Sequence, residues 1–150
     1  MTVSGAEPYP GGLTLADKQE IVAYLDSRGL VDYVSCGTGH YLNQSFKLVP
    51  SFHFNMMLGA PDAAKLKEVV RHAKVTTEAR VKTPANAEKV LSEGMADLVS
   101  IVRGQIADPH LATKAKEGRP EDIRPCISCN QLCIGRRFRD YWVSCLVNPS

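Results

Sequence analysis

The stretch "KVTTEARVKTPANAEKVLSEGMADLVSIVR", residues 74 to 103, decides the fold class. It opens with a segment rich in β-branched residues, Lys74 to Val81, which predicts a strand. Thr83 follows as a helix N-cap, with Pro84 in the first helical position. A nearly continuous apolar run from Ala96 to Arg103 predicts a second strand, buried on both faces. A strand, a helix and a strand in this order predict two parallel strands joined by a helical crossover.

The same alternation of strands and helices extends to both sides of this stretch. Upstream, residues 1–5 and 30–36 predict strands, while residues 14–29 and 61–73 predict helices. Downstream, residues 108–118 predict a helix with a capping aspartate, a proline and a terminal glycine. Four consecutive βα units predict an α/β fold with a parallel sheet.

Four βα units are half the number that a closed βα barrel requires in its roughly 250 residues. A free-standing doubly wound sheet usually carries G-x-G-x-x-G after its first strand, whereas this chain has only a lone G-x-G in "CGTGH", residues 36–40. The sequence therefore predicts half of a larger barrel. The irregular stretch from Gly37 to Ala60 is long enough to be a functional loop. Because the alternation stops near Gly118, we expect residues 1–118 and 119–150 to form separate units.

The composition is that of an ordinary globular protein, with 150 residues, 44% apolar and 23% charged. The 18 basic and 16 acidic side chains are interspersed, so the charge pattern does not indicate nucleic-acid binding. No apolar run approaches the roughly 20 residues that span a bilayer, and residues 1–20 lack the pattern of an export signal. We therefore expect a cytoplasmic protein that binds neither nucleic acid nor membranes.

Four of the five cysteines lie close together, in "CISCNQLCIGRRFRDYWVSC", residues 126 to 145. Their spacing is C-x2-C-x3-C-x11-C, and a reducing compartment disfavours disulfides. Four thiolates can hold an iron–sulfur cluster or a tetrahedral zinc ion. Three close thiols and one distant thiol favour the cluster, with zinc and unligated redox-active thiols as alternatives. Cys36 ends a predicted strand, and we expect it to be a core thiol.

The segment "CISCNQLCIGRRFRDYWVSCLVNP" resembles the cluster-binding segment of iron–sulfur flavoenzymes related to 2,4-dienoyl-CoA reductase and trimethylamine dehydrogenase, in the Old Yellow Enzyme group. Shared features are the asparagine after the second cysteine and the Cys-x-Val-Asn-Pro exit. Residues 78–94 and 94–126 are similar to strands seven and eight of that family's flavin barrel with their following segments. Residues 4–14 and 29–41 resemble strands five and six with their loops. The resemblance covers essentially the whole chain.

This resemblance implies strands five to eight of a (βα)8 TIM barrel followed by a cluster segment, as part of a longer chain that is inactive without the rest. The cofactors implied are FMN and a [4Fe-4S] cluster, with NAD(P)H or FAD bound only by regions outside this sequence. The cluster ligands implied are Cys126, Cys129, Cys133 and Cys145. We expect the aromatic Tyr141 and Trp142 to pack over the cluster.

Phosphate binding is expected where strands seven and eight end, as in other βα barrels. Arg80 and Arg103 lie at these two ends. The resemblance assigns the FMN phosphate contacts to Arg80 and to the pair Val102 and Arg103. Ala79 is assigned to the same site through close approach of its backbone, although it stands where the family often has glycine and its methyl group can crowd that approach.

The activity implied is transfer of hydride or electrons between NAD(P)H, flavin and a small organic substrate such as an enoyl thioester or an N-methylated amine. His40, in the loop after strand six, can orient or protonate the substrate, with an ordinary loop histidine as the alternative. A flavin-facing arginine of the family has no counterpart in "MTVSG", so Thr2 replaces it or it lies upstream. The full-length protein is compatible with a homo-oligomer. The competing hypothesis is a zinc-stabilised, non-catalytic α/β binding module.

Overall fold

The computed structural model describes residues 1–5, 7, 9–40 and 45–148. Their four strands form one parallel sheet in the order β1-β2-β3-β4, which is also the order of the sequence. The strands are β1 (Thr2–Ser4), β2 (Tyr33–Gly37), β3 (Lys74–Thr77) and β4 (Leu98–Val99). The predicted α/β fold with a parallel sheet is confirmed.

Helices connect the strands and follow the last of them. In the described part of the chain they are α1 (Leu15–Ser27), α2 (Ser45–Leu48), α3 (Ala60–Lys67), α4 (Pro84–Ser92), α5 (Val102–Ala107) and α6 (Leu111–Lys116). A 3-10 turn (Pro120–Asp122) and a π-helical turn (Gln131–Gly135) follow. None of the helices described is long and apolar enough to cross a membrane.

Two helix N-termini predicted from the sequence are confirmed by their hydrogen bonds. The hydroxyl of Thr14 accepts from the backbone N–H of Asp17, and the Asp17 carboxylate accepts from the backbone N–H of Thr14, which completes a capping box. At the start of α4 the hydroxyl of Thr83 accepts from the backbone N–H of Asn86. These bonds satisfy backbone donors that a helix cannot pair internally.

The core lies between one face of the sheet and the helices. Its fully buried side chains include Val22, Val34, Leu66 and Val75. Cys36 is buried among them, which agrees with the expected core thiol. Burial, together with nearby carboxylates, raises the pKa of Cys36 to about 12. The thiol therefore stays protonated and behaves as a small apolar group.

The prediction of a strand as long as Ala96 to Arg103 is wrong. Only Leu98 and Val99 form β4, and α5 already begins at Val102. Leu98 pairs in register with Thr76 on the face of the sheet opposite to the helices, which is the inner face in a βα barrel. The apolar run in the sequence therefore combines a short strand with the first turn of a helix.

Helix α3 ends at Lys67, whereas the sequence predicts a helix as far as residue 73. The cause is Asp26, a buried residue near the end of α1. Its carboxylate accepts backbone N–H bonds from Arg71 at 2.7 Å, from His72, and from Ala73 at 2.7 Å. These amides are thereby held in the approach to β3 and are not available to extend the helix.

Replacing Asp26 by alanine should lower the free energy of unfolding by about 3 kcal/mol, because three backbone amides lose their acceptor. Burial alone would raise the pKa of Asp26, but the hydrogen bonds from Ala73, Arg71 and His72 outweigh it and hold the pKa below its ordinary value. The stabilisation that Asp26 contributes to the folded protein should therefore be fully present above pH about 4 and should be lost as the pH falls below that value. Urea unfolding followed by circular dichroism at several pH values measures it.

The matched control is Asp32→Ala, since Asp32 is exposed. This variant should unfold within about 0.5 kcal/mol of the parent protein. Equal stability of the Asp26 and Asp32 variants at neutral pH would contradict the assigned role of Asp26.

Candidate functional site

A basic cavity lies beyond the carboxyl ends of β3 and β4. Residues that follow these strands, Glu78 to Lys82 and Val102 to Gly104, form much of its lining, and its volume is about 250 Å³. Three of the lining side chains are basic, namely Arg80, Lys82 and Arg103. The acidic side chain in the lining, Glu78, accepts a hydrogen bond from the hydroxyl of Ser35. The excess of positive charge suits an anionic group.

The backbone is strained at one wall of this basic cavity. Ala79 and Arg80 both adopt left-handed conformations, with φ of 65° and 62°. Such a conformation costs a non-glycine residue roughly 1–2 kcal/mol. The Arg80 guanidinium stabilises it by donating to the carbonyl oxygens of Ser51, at 2.8 Å, and Phe54. The Arg80 carbonyl in turn accepts from the backbone N–H of Met57 at 3.2 Å.

The guanidinium of Arg80 therefore secures the long loop after β2 to the end of β3. Its Nε is buried and has no hydrogen-bond partner among the described residues. This donor is the part of the side chain that an anion in the cavity could engage. The phosphate contacts expected of Ala79 and Arg80 stay predictions.

Arg103 lies in the first turn of α5, one residue after Val102, whose residue surface is 67% exposed. Its guanidinium donates to the side-chain oxygen of Asn130 at 2.5 Å. Burial lowers the pKa of Arg103, while the nearby thiols of Cys126 and Cys133 act in the opposite direction. The phosphate contacts expected of Val102 and Arg103 also stay predictions.

The four clustered cysteines line one small cavity next to the basic cavity. The free space between these side chains is only about 10 Å³, and it rises to about 320 Å³ when the open mouth is included. The thiols in its lining belong to Cys126, Cys129, Cys133 and Cys145, and none of these cysteines forms a disulfide. Apolar side chains, among them Ile127 and Leu132, contribute to the wall. Within the residues described, no three His, Cys, Asp or Glu side chains converge on a point where one metal ion could bind.

Two side chains attach the cysteine segment to the end of β3 and to the loop after β2. Lys82 donates from its Nζ to the carbonyl of Cys126 at 2.9 Å. Asn130, in a left-handed conformation with φ of 58°, donates from its side-chain nitrogen to the carbonyl of Val49 at 2.7 Å. Together with the bond from Arg103 to Asn130, these contacts fix the cysteines relative to the basic cavity.

A second group of contacts closes the two ends of the cysteine segment. Asp108 accepts from the backbone N–H of Arg124 at 2.9 Å, and its pKa falls to about 2 because it also accepts from Lys114. Arg124 donates to the side-chain oxygen of Asn148 at 2.6 Å, and Asn148 donates to the carbonyl of Ile106 at 3.2 Å. The chain before the first cysteine and the chain after the last are thereby joined.

The remaining candidates have different outcomes. His40 lies beyond the end of β2, with its ring centroid 4.9 Å from that of Tyr9, and its catalytic role stays a prediction. Tyr141 and Trp142 are not part of the lining of the thiol cavity, and the expectation that they pack over a cluster stays a prediction. The Trp142 ring instead lies 4.9 Å from the guanidinium carbon of Arg136.

Lys82, Asn130 and Asn148 make contacts that the sequence pattern did not predict. A signal existed for the two asparagines, because each is part of a motif beside a cysteine. Lys82 carried no such signal, since a single lysine after a strand is most often a solvated side chain.

A parallel βα sheet with a basic cavity beyond its carboxyl edge is the arrangement of βα-barrel proteins that bind phosphorylated ligands. The chain belongs to the NADH:flavin oxidoreductase / NADH oxidase family, whose sequence profile matches residues 3–122. The family resemblance and the part-barrel fold predicted from the sequence are thus confirmed.

Known relatives match almost the whole of this chain. It is 40% identical to an NADH oxidase of Thermoanaerobacter brockii, over 97% of this chain and 22% of the relative. It is 34% identical to an N,N-dimethylglycine/sarcosine dehydrogenase of Chromohalobacter salexigens, over 100% of this chain and 22% of the relative. The solved structure of a 2-naphthoyl-CoA reductase in complex with 2-naphthoyl-CoA superposes with a TM-score of 0.88 at 31% identity. The match covers 99% of this chain and 22% of the reductase chain. The chain thus spans about a fifth of the length of these proteins.

Proposed function

We propose that this chain forms the part of an FMN- and [4Fe-4S]-dependent oxidoreductase that holds the flavin phosphate and the cluster. The main observation in support of the proposal is that the basic cavity and the thiol cavity adjoin each other. The basic cavity and the thiol cavity share the lining residues Arg103, Ile106 and Cys126. An anion site and a four-thiol site that share a wall are what an enzyme needs to place a flavin beside a cluster.

The thiol cavity supports the cluster on the chemistry of its donors. Four thiolates supply the ligands of a [4Fe-4S] cluster, and an apolar surround limits its exposure to water. Cys126, Cys129, Cys133 and Cys145 would hold the group. When bound, such a cluster passes single electrons. Lys82 and Asn130 keep the thiol-bearing segment in place through their bonds to Cys126 and Val49.

The basic cavity supports the flavin through its phosphate. Phosphate is an anion that Arg and Lys side chains bind through charge-assisted hydrogen bonds. Arg103 and Lys82 would hold it, with the unpaired Nε of Arg80 as a further donor. When bound, flavin exchanges hydride or single electrons, which connects a two-electron substrate with a one-electron cluster. The residues of this chain bind and orient the cofactor and exclude water from its phosphate.

The substrate in this proposal is a small organic molecule, either an enoyl thioester or an N-methylated amine. The names of the relatives support both classes, since one is a dehydrogenase for N,N-dimethylglycine and sarcosine and another is a reductase in complex with 2-naphthoyl-CoA. His40, on the loop after β2, would contact the substrate. NAD(P)H or FAD would bind to regions outside this sequence.

Anaerobic purification of the full-length protein tests the proposal. The protein should be brown-yellow, with broad absorption near about 400 nm, about four irons per chain and FMN released on denaturation. Metal analysis, acid-labile sulfide and chromatography of the released flavin measure these properties. A colourless protein with one zinc per chain and no iron would instead establish the zinc-stabilised binding module.

A further inference from the structure

One guanidinium stands between the two cavities. Arg103 contributes to the lining of both the basic cavity and the thiol cavity. Its side chain is only partly exposed, so water screens its charge less than it screens a surface charge. An anion in either cavity therefore interacts with the same cation.

Asn130 determines where this guanidinium lies. Its side-chain oxygen accepts from Arg103 at 2.5 Å, and its side-chain nitrogen donates to the carbonyl of Val49 at 2.7 Å. Because both ends of the amide are bonded, rotation of the amide would break two hydrogen bonds. Asn130 is thus a positioning residue that acts through Arg103.

We infer that Arg103, positioned by Asn130, couples the two sites, so that phosphate bound in the basic cavity makes the cluster harder to reduce. The inference rests on the proposed function. Reduction adds one electron, and hence one negative charge, to the cluster. The guanidinium stabilises that added charge, and a phosphate bound to the same guanidinium offsets part of the stabilisation.

Linkage makes the coupling reciprocal, so reduction of the cluster must weaken phosphate binding by the same factor. We expect a factor of about ten, within the usual range for coupling between two sites. For a one-electron couple, a tenfold change corresponds to a shift of about 59 mV in the midpoint potential.

The test compares FMN with riboflavin, which carries the same ring without the phosphate. Full-length protein is freed of flavin under anaerobic conditions, and its cluster is titrated potentiometrically with mediators while electron paramagnetic resonance follows the reduced cluster. The titration is repeated with saturating FMN, with riboflavin and with inorganic phosphate. FMN and inorganic phosphate should lower the midpoint potential of the cluster by about 59 mV. Riboflavin should leave this potential nearly unchanged.

Substitution of Asn130 examines the positioning role directly. Asn130→Asp places a carboxylate on Arg103, so it should lower the potential without phosphate and reduce the further shift caused by FMN. The matched control is Asn148→Asp, which adds the same charge to a residue bonded to Arg124 and not to Arg103. The control should retain the full shift caused by FMN.

Two outcomes overturn the inference while the proposed function stands. One is a protein that binds both cofactors and shows the same potential with and without FMN. The other is an equal shift with FMN and riboflavin, which would assign the effect to the ring. Absence of iron and flavin from the purified protein would overturn the proposed function itself.

Discussion

Replacing Cys126 by serine should reduce the bound iron from about four atoms per chain to nearly none. Cys126 is buried and lines both cavities, so its loss removes a ligand at the wall that the two sites share. A serine hydroxyl is a poor substitute for a thiolate because it is protonated at neutral pH and is a harder donor. Iron and acid-labile sulfide per chain, together with absorption near about 400 nm, measure the effect.

The chain offers a matched control in its fifth cysteine. Cys36→Ala removes a thiol that lies in the core between the sheet and the helices, outside the lining of the thiol cavity. This variant should keep its full iron content with a modest loss of stability. Full iron content in the Cys126 variant would contradict the assignment of the cluster to this cavity.

Replacing Arg103 by alanine should weaken FMN binding by between about tenfold and a hundredfold. This range corresponds to the roughly 1.5–3 kcal/mol contributed by a hydrogen bond to a charged group. Riboflavin affinity should change much less, because riboflavin has no phosphate for the guanidinium to bind. Quenching of flavin fluorescence on addition of flavin-free protein gives both dissociation constants.

The control for Arg103→Ala is Arg119→Ala. Arg119 forms ion pairs with Glu117 and Asp122 after α6, outside the lining of both cavities. This control should bind FMN as the parent protein does, and both variants should keep nearly all their iron. Loss of iron together with FMN in the Arg103 variant would mean that Arg103 is needed for the structure of the segment and not specifically for the phosphate.

The sequence predicted the features that depend on residues close together in the chain. The capping residues Thr14 and Thr83 bond to amides three positions along the chain, so the starts of α1 and α4 could be predicted directly from the sequence. The start predicted at residue 108 was wrong, because α6 begins at Leu111. The grouping of four cysteines in one cavity likewise followed from their spacing. The family motifs predicted the part-barrel and the order of its strands.

Features that depend on distant contacts could not be predicted in this way. Helix α3 ends early because Asp26 bonds to Ala73, which is far along the chain. Similarly, Lys82 reaches the carbonyl of Cys126 across the sheet edge, and no pattern near Lys82 announces that bond. Apolar residues around β4 suit both a strand and the first turn of α5, so only the folded sheet distinguishes them.

The order of the four strands has a consequence for synthesis on the ribosome. Each strand pairs with the strand that precedes it in the sequence, so none has to be inserted between two strands that are already paired. These four strands can therefore join the sheet one at a time as the nascent chain emerges. The cysteine segment emerges after these four strands, when Lys82 and Arg103 have already been synthesised. The residues that anchor the thiols are thus present before the thiols themselves.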